Sequence, residues 1–282
     1  MSTPISFFVI ATKSYRDYAR NLISDLRLNS NEDFKVCIIL LTDIAELFLQ
    51  EFPKTLFFEL KTALVPSYGW PEATLFRFQM MLSHQDLVAG ELVAYIDADM
   101  RVSSKLATEM FTNVFNNPCE SKIALVKHPG YAFRSKPYEF LCKTHFGPWG
   151  VSRSSTAWVP RKLRSTYVCG GLFWGQSFDF FKLCKDLERQ VETDESNNIR
   201  AKHNDESHLN RWSASNQHIF MGSECVYAPG YRNLKHLTPI ISVVHKPVSF
   251  VRISSFGEAT KLSAFRKVLN FWQKFLKLVR HD

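Results

Sequence analysis

The 282-residue chain has no apolar run near the about 18 to 20 uninterrupted residues that a membrane-spanning helix needs, so no transmembrane segment is expected. Its start, MSTPISFFVIATKSY, lacks a basic residue before the apolar stretch and a small-residue cleavage pattern after it. That argues against a signal peptide and for a first strand. There is no CxxC pair and no zinc-type cluster; Cys37, Cys119, Cys142, Cys169, Cys184 and Cys225 are scattered, mostly among apolar neighbours. They read as reduced thiols of a cytoplasmic protein, since secreted disulfide frameworks are usually shorter and denser in cysteine. No GxGxxG follows the first apolar run, which disfavours a dinucleotide-binding Rossmann fold. Repeats and low-complexity tracts are absent. Acid is in deficit, with 27 Asp and Glu against 35 Lys and Arg, and the resulting charge of +8 points to an anionic partner without choosing among phosphate, nucleotide, nucleic acid and lipid surface.

What is present is apolar enough, at 45% hydrophobic residues, for a substantial core. Strand-like and helix-like segments alternate over the first hundred residues. An apolar run at 5–11 precedes a helical pattern on Tyr18, Leu22 and Leu26; KVCIILLTD (35–43) precedes AELFLQEF; TLFFEL (55–60) reads as a third strand. WPEATLFRFQMMLSHQ reads as one helix with Pro71 in its first turn, and ELVAYIDADM (91–100) as a buried strand ending in acid. This alternation predicts a largely parallel sheet covered on both faces, with ligands at the carboxyl ends of the strands. Residues 128–165 read as a long irregular connection, a feature usually functional in compact domains. STYVCGGLFWGQS then gives an apolar strand and SFDFFKLCKDLERQVETDESNN a helix. The last segment, KLSAFRKVLNFWQKFLKLVRHD, is basic and amphipathic, with Leu262, Phe265, Leu269, Trp272, Leu276 and Val279 in one stripe. Such a helix either packs on the main domain or lies on an anionic membrane surface.

Three constellations carry chemistry. Asp97 and Asp99, at i and i+2 after a buried strand, suit a hard cation that also takes phosphate oxygens, although Asp97 capping a following helix is the local alternative. Asp205 and Glu206 in HNDESHLN are either a solvated helix start with Asp205 near the N-cap or a carboxylate pair for sugar or acyl chemistry. His203 and His208, five apart, share a helix face poorly, which disfavours zinc. Lys246 and Arg252 flank an extended segment and could clamp a diphosphate.

In order, IATKSY (10–15), WPEATLFR (70–77), YIDADM (95–100), HPGY (128–131), YVCGGLFWG (167–175), NDESHLN (204–210) and HKPVSFVR (245–252) give the chain a resemblance to glycosyltransferase family 6, the histo-blood-group A/B transferase and alpha-1,3-galactosyltransferase family. The resemblance implies a GT-A fold over residues 1–258, a Rossmann-like, mostly parallel sheet flanked by helices, followed by the amphipathic helix at 259–282. It implies retaining transfer of N-acetylgalactosamine or galactose from a UDP-sugar, in alpha-1,3 linkage, to a galactoside on a glycan or glycolipid. Ile10, Ala11 and Tyr15 would line the uridine pocket, and Arg77 would hold the donor sugar and orient the acids. Asp97 and Asp99 would bind Mn2+ or another divalent cation across the diphosphate. Cys169, Gly170 and Gly171 would sit beneath the donor sugar, where the glycines leave room for an acetamido group. Asp205 would bond sugar hydroxyls, Glu206 would serve as the nucleophile or oxocarbenium stabiliser, and Lys246 and Arg252 would close over the diphosphate. His128 and His203 would face the acceptor; the family's Trp and His before the DESHLN motif are His203 and Asn204 here.

The animal enzymes' anchor and stem are not seen, so a bacterial or viral member is expected, cytoplasmic or peripheral on the inner face of a membrane. A catalytically inactive sugar-binding protein with the same fold is the alternative, decided by UDP release. A nucleic-acid partner is not expected, because no basic-aromatic RNA signature or helix-turn-helix is evident.

Overall fold

The structure, a computed structural model, describes residues 4–244 apart from 107, 132–139, 141, 142, 145, 146 and 151. Lys246, Arg252, Cys142 and the amphipathic segment at 259–282 lie outside the described residues. The chain divides into two units, Met1–Val244 and His245–Asp282, and every described strand and helix belongs to the first.

Three parallel strands, β1 (Ile5–Ala11), β2 (Val36–Thr42) and β3 (Phe58–Leu64), pair over seven residues each, β1 with β2 and β2 with β3. On the other side of β1 lies β4 (Leu92–Ile96), also parallel. The intervening segments are α1 (Tyr15–Asn29), α2 (Glu46–Glu51), α3 (Glu72–Leu75) and α4 (Arg77–Leu82). Strand β1 shows why both faces must be covered: alternate side chains point to opposite sides of a strand. Phe7 and Val9 pack with Leu22, Ile23 and Leu26 of α1, whereas Phe8 joins Phe78 and Met81 of α4 on the other face.

Beyond β4 the sheet stops being parallel. β7 (Val168–Gln176) runs antiparallel both to β4 and to β6 (Ile123–Lys127), and β8 (Ile219–Met221) adds a parallel edge beside β6, giving the order β3-β2-β1-β4-β7-β6-β8. A small second sheet pairs β5 (Met100–Val102) with β9 (Ile241–Val243). Between these lie α5 (Thr108–Thr112), α6 (Ser177–Ser196) and α7 (Asn204–Ser213). Among the described residues no helix is long and apolar enough to cross a membrane. Cys37, Cys119, Cys169, Cys184 and Cys225 are all free thiols.

Two sequence expectations are corrected. The third strand begins at Phe58 and runs to Leu64, not 55–60, because the sheet edge leaves one face half exposed and its burial alternates where an apolar run does not. The single helix expected over WPEATLFRFQMMLSHQ is broken at Phe76 (φ −87°, ψ 5°), with Pro71 at the N-cap position. The break lets Arg77 turn inward under the sheet while Phe76 packs on Tyr68, their rings 5.0 Å apart.

Candidate active site

β4 ends at Ile96, and Asp97 and Asp99 occupy the turn between β4 and β5. No helix follows for Asp97 to cap. Antiparallel pairing sets Ile96 opposite Leu172, so the start of β7 lies against this turn: the Asp97 N–H donates to the Gly171 carbonyl at 2.8 Å. A Cβ on Gly171 would come within 2.8 Å of Asp97 Oδ2 and 2.6 Å of Met100 Cε. Glycine at 171 thus lets the acidic turn lie close against β7; any side chain there would have to push Met100 and the Asp97 carboxylate aside. Asp99 is buried, and its carbonyl accepts from the Val244 N–H at 2.9 Å.

Arg77 is the centre of the site. Its Nη1 lies 3.5 Å from Asp97 Oδ1 and 3.3 Å from Asp205 Oδ2, and donates to the Gly170 carbonyl at 3.1 Å; its Nε donates to the Thr74 carbonyl at 3.2 Å. The guanidinium also stacks 4.7 Å over the Tyr95 ring. Burial works against its charge, but the surrounding carboxylates, Asp205 foremost, more than offset that and hold it protonated. Tyr95 donates its hydroxyl to Asp97 Oδ1 at 2.6 Å, and burial keeps that phenol neutral, so its proton stays available for this bond.

α7 supplies the other carboxylates, and each residue of its DESHLN run has a separate task. Asp205 faces Arg77. Glu206 Oε2 accepts from the Gly170 N–H at 3.0 Å. Ser207 Oγ accepts from the His203 N–H at 2.9 Å at the helix start. His208, held neutral by burial with its pKa pushed down to about 4, sits 3.4 Å from Thr156 Oγ1 and 3.8 Å from Asp194. Leu209 enters the core. Asn210 mimics a strand, accepting from the Val168 N–H and donating to the Val168 carbonyl, both at 2.8 Å. That amide pair locks α7 to the start of β7 and thereby sets Glu206 under Gly170. The local reading of Asp205 as a solvated cap fails: Asp205 is 7% exposed, and His203 occupies the N-cap. Burial raises the Asp205 carboxyl to about 6, with Arg77 opposing and the negative charges of Glu206 and Asp97 adding to the rise.

His128 completes this side. The Gly130 N–H donates to its Nδ1 at 3.0 Å, which puts the proton of the neutral ring on Nε2, 3.9 Å from Glu206 Oε1. Burial lowers its pKa, so the neutral form dominates. Tyr131 and Tyr167 pack on it, Trp149 packs on Tyr167, and His203 also meets Tyr167, with ring centroids 6.5 Å apart. Ile10, Ala11 and Tyr15 stand at the carboxyl end of β1 and the start of α1, along the same sheet edge as Asp97. The β1–α1 turn is pinned by Arg16, whose Nε and Nη2 reach Asp43 at 2.7 and 2.5 Å, holding that carboxyl down at about 2. Cys169 Sγ accepts weakly from the Gly171 N–H at 3.4 Å, and burial keeps it a thiol.

Tyr95, Tyr167 and Asn210 do not stand out in the sequence. Asn210 lies one turn after Glu206 on the same helix face, a spacing that could have marked it; the two tyrosines give no local signal.

Among the described residues no three His, Cys, Asp or Glu side chains group to hold a metal by themselves. Asp97 and Asp99 nevertheless offer hard carboxylate oxygens in one turn, the donor type of cations such as Mg2+ that take one or two carboxylates and complete their shell with waters and substrate phosphates.

A doubly covered, mostly parallel sheet with an Asp-x-Asp turn at the carboxyl edge of a central strand is the architecture of a GT-A type glycosyltransferase. The sequence model of glycosyltransferase family 6 matches residues 67–233, and the chain belongs to that family. It is 26% identical over 146 residues to histo-blood group ABO system transferase 1 of Rattus norvegicus, a match covering 51% of this chain and 37% of that protein.

Proposed function

We propose that this glycosyltransferase moves galactose or N-acetylgalactosamine from UDP to a galactoside acceptor in alpha-1,3 linkage with retention, using Mn2+ or a similar divalent cation. The observation that carries the reading is the convergence of Asp97, Asp205 and Glu206 on Arg77 and the Gly170 backbone at one sheet edge. A cation held by Asp97 and Asp99 would supply positive charge where the leaving diphosphate becomes more negative. Arg77 fixes Asp97 and Asp205 in place, and ionised Asp205 accepts from donor-sugar hydroxyls. Glu206, anchored by one oxygen to Gly170, presents its carboxylate to the anomeric carbon, and His128 faces the acceptor. Ile10, Ala11 and Tyr15 are assigned to the uridine, Cys169, Gly170 and Gly171 to the underside of the sugar, His203 to the acceptor, and Lys246 and Arg252 to the diphosphate. Residues 1–258 form the catalytic domain in this reading, with 259–282 as an amphipathic extension toward an anionic membrane. UDP release from both UDP-sugars, with and without a neutral galactoside, in Mn2+ and in excess EDTA, is the test. Acceptor-dependent release that EDTA abolishes is expected; release in EDTA at the full rate removes the cation, and no release with any pair removes the reading.

Tyr95 bears on the same cation, because a donor that pins Asp97 Oδ1 fixes how the carboxylate is presented. Tyr95→Phe is expected to weaken Mn2+ binding in the presence of UDP by about 10–100-fold, as loss of a partner behind a metal ligand does. Calorimetry reads this without turnover; unchanged Mn2+ affinity would leave the hydroxyl with no such part.

Asp205 sets a pH dependence. Its folded pKa of about 6 lies above the ordinary carboxylate value, so the stability it contributes is present below about pH 4 and lost as pH rises through 6. The ionised form that binds sugar predominates only above 6. UDP-sugar affinity is therefore expected to fall about tenfold per pH unit below that point, while UDP affinity changes less. Asp205→Asn should bind the donor weakly at every pH, without the limb.

A further inference from the structure

Between Glu139 and Asp179 the sequence holds no acidic residue, yet it carries Lys143, Arg153, Arg161, Lys162 and Arg164. Elsewhere on the molecule arginines meet acids: Arg16 with Asp43, Arg20 with Glu51, Arg101 with Asp25, Arg200 with Glu72. Among the described residues Arg161, Lys162 and Arg164 have no ion pair at all. Arg164 is 8% exposed and spends its donors on backbone carbonyls, Nε on Val159 at 3.0 Å and Nη1 on Lys143 and Thr144 at 3.0 and 3.2 Å. Carbonyls satisfy its hydrogen bonds, and among the described residues no carboxylate compensates its charge. Arg161 stands near enough to add repulsion, and both Arg161 and Lys162 are exposed. Among the described residues, two neighbouring guanidiniums and an ammonium have no counter-charge and produce a positive field, and the guanidinium fork matches carboxylate and phosphate.

The position of this field decides what it serves. Val159 and Trp149 pack on Tyr167, Tyr167 packs on His128, and His128 faces Glu206. Arg161, Lys162 and Arg164 precede Tyr167 by six, five and three residues, at most about 20 Å of chain. In the proposed function the donor's phosphates belong at the Asp97 turn, which leaves this second cationic surface to the acceptor.

We infer that the acceptor glycan itself carries an anionic group, a carboxylate or a phosphate near the galactoside, and that Arg161 and Lys162 engage it while Arg164 holds the segment in place. This rests on the acceptor assignment of the proposed function. The test compares the full chain's affinity, by calorimetry in the presence of UDP and Mn2+, for neutral lactose, for lactose 1-phosphate and for a galactosyl-glucuronic acid disaccharide, with transfer rates measured on all three. The anionic saccharides are expected to bind about tenfold more tightly than lactose at 50 mM salt. The preference should vanish at 300 mM salt and in the Arg161→Ala/Lys162→Ala variant, with lactose and UDP affinities unchanged. The phosphate and carboxylate arms identify which anion is read. Equal affinity for neutral and anionic saccharides overturns the inference, as does a double variant that loses sedimentation with anionic vesicles yet keeps the saccharide preference. A preserved preference without transfer to any acceptor would overturn the transferase reading instead.

Discussion

Glu206→Gln is expected to retain UDP-sugar binding while kcat falls by about 10²–10⁴-fold, because the amide keeps the shape and the Gly170 contact but not the charge that opposes a developing oxocarbenium ion. Single-turnover rates with saturating donor and acceptor measure it, alongside donor affinity by calorimetry. A variant with normal kcat and a raised KM would assign Glu206 to donor positioning only. Anchoring of one carboxylate oxygen by a backbone N–H makes the isosteric amide a clean probe: the glutamine can present its carbonyl oxygen to Gly170 without moving α7.

Arg77→Ala is expected to cost about 3–5 kcal/mol of stability as well as activity. The guanidinium is buried between Asp97 and Asp205, caps the Gly170 and Thr74 carbonyls and stacks on Tyr95, so its removal leaves two neighbouring carboxylates without their cation. Denaturant unfolding at pH 7 reads the loss. The pH dependence supplies the control. Lowering the pH protonates Asp205, and the variant should recover part of its deficit between pH 7 and 5, a recovery that a mere cavity would not produce. Arg77→Lys should recover charge but neither the planar stack nor the fork, and is expected to remain inactive.

The sequence made the core strands legible because β1, β2 and β4 are buried on both faces and so appear as continuous apolar runs. Helices α1 and α6 were legible for the complementary reason, a long stripe at helical spacing. Strands β6, β8 and β9 escaped notice, since two are three residues long and all three owe their pairing to distant partners. The insertion of β7 between β4 and β6 is likewise non-local, and it creates the site by bringing Gly170 and Gly171 against the Asp97 turn. Within the site, Asp97 and Asp99 stood out as acids ending an apolar strand, and Asp205 and Glu206 as adjacent acids in a polar run. Their supports did not: Tyr95 looks like one more core aromatic in a strand, and only the tertiary fold shows its hydroxyl on Asp97. The broken helix at Phe76 keeps a helical period on both sides, so periodicity cannot reveal the inward turn of Arg77.

The anomeric configuration of the product tests the central claim most directly. After incubation of the chain with UDP-galactose, a neutral galactoside and Mn2+, nuclear magnetic resonance of the purified trisaccharide should show the new galactose in alpha linkage, formed by the wild type and nearly absent with Glu206→Gln. A beta-linked product, or an alpha product formed equally well by Glu206→Gln, would contradict a retaining transfer centred on this carboxylate.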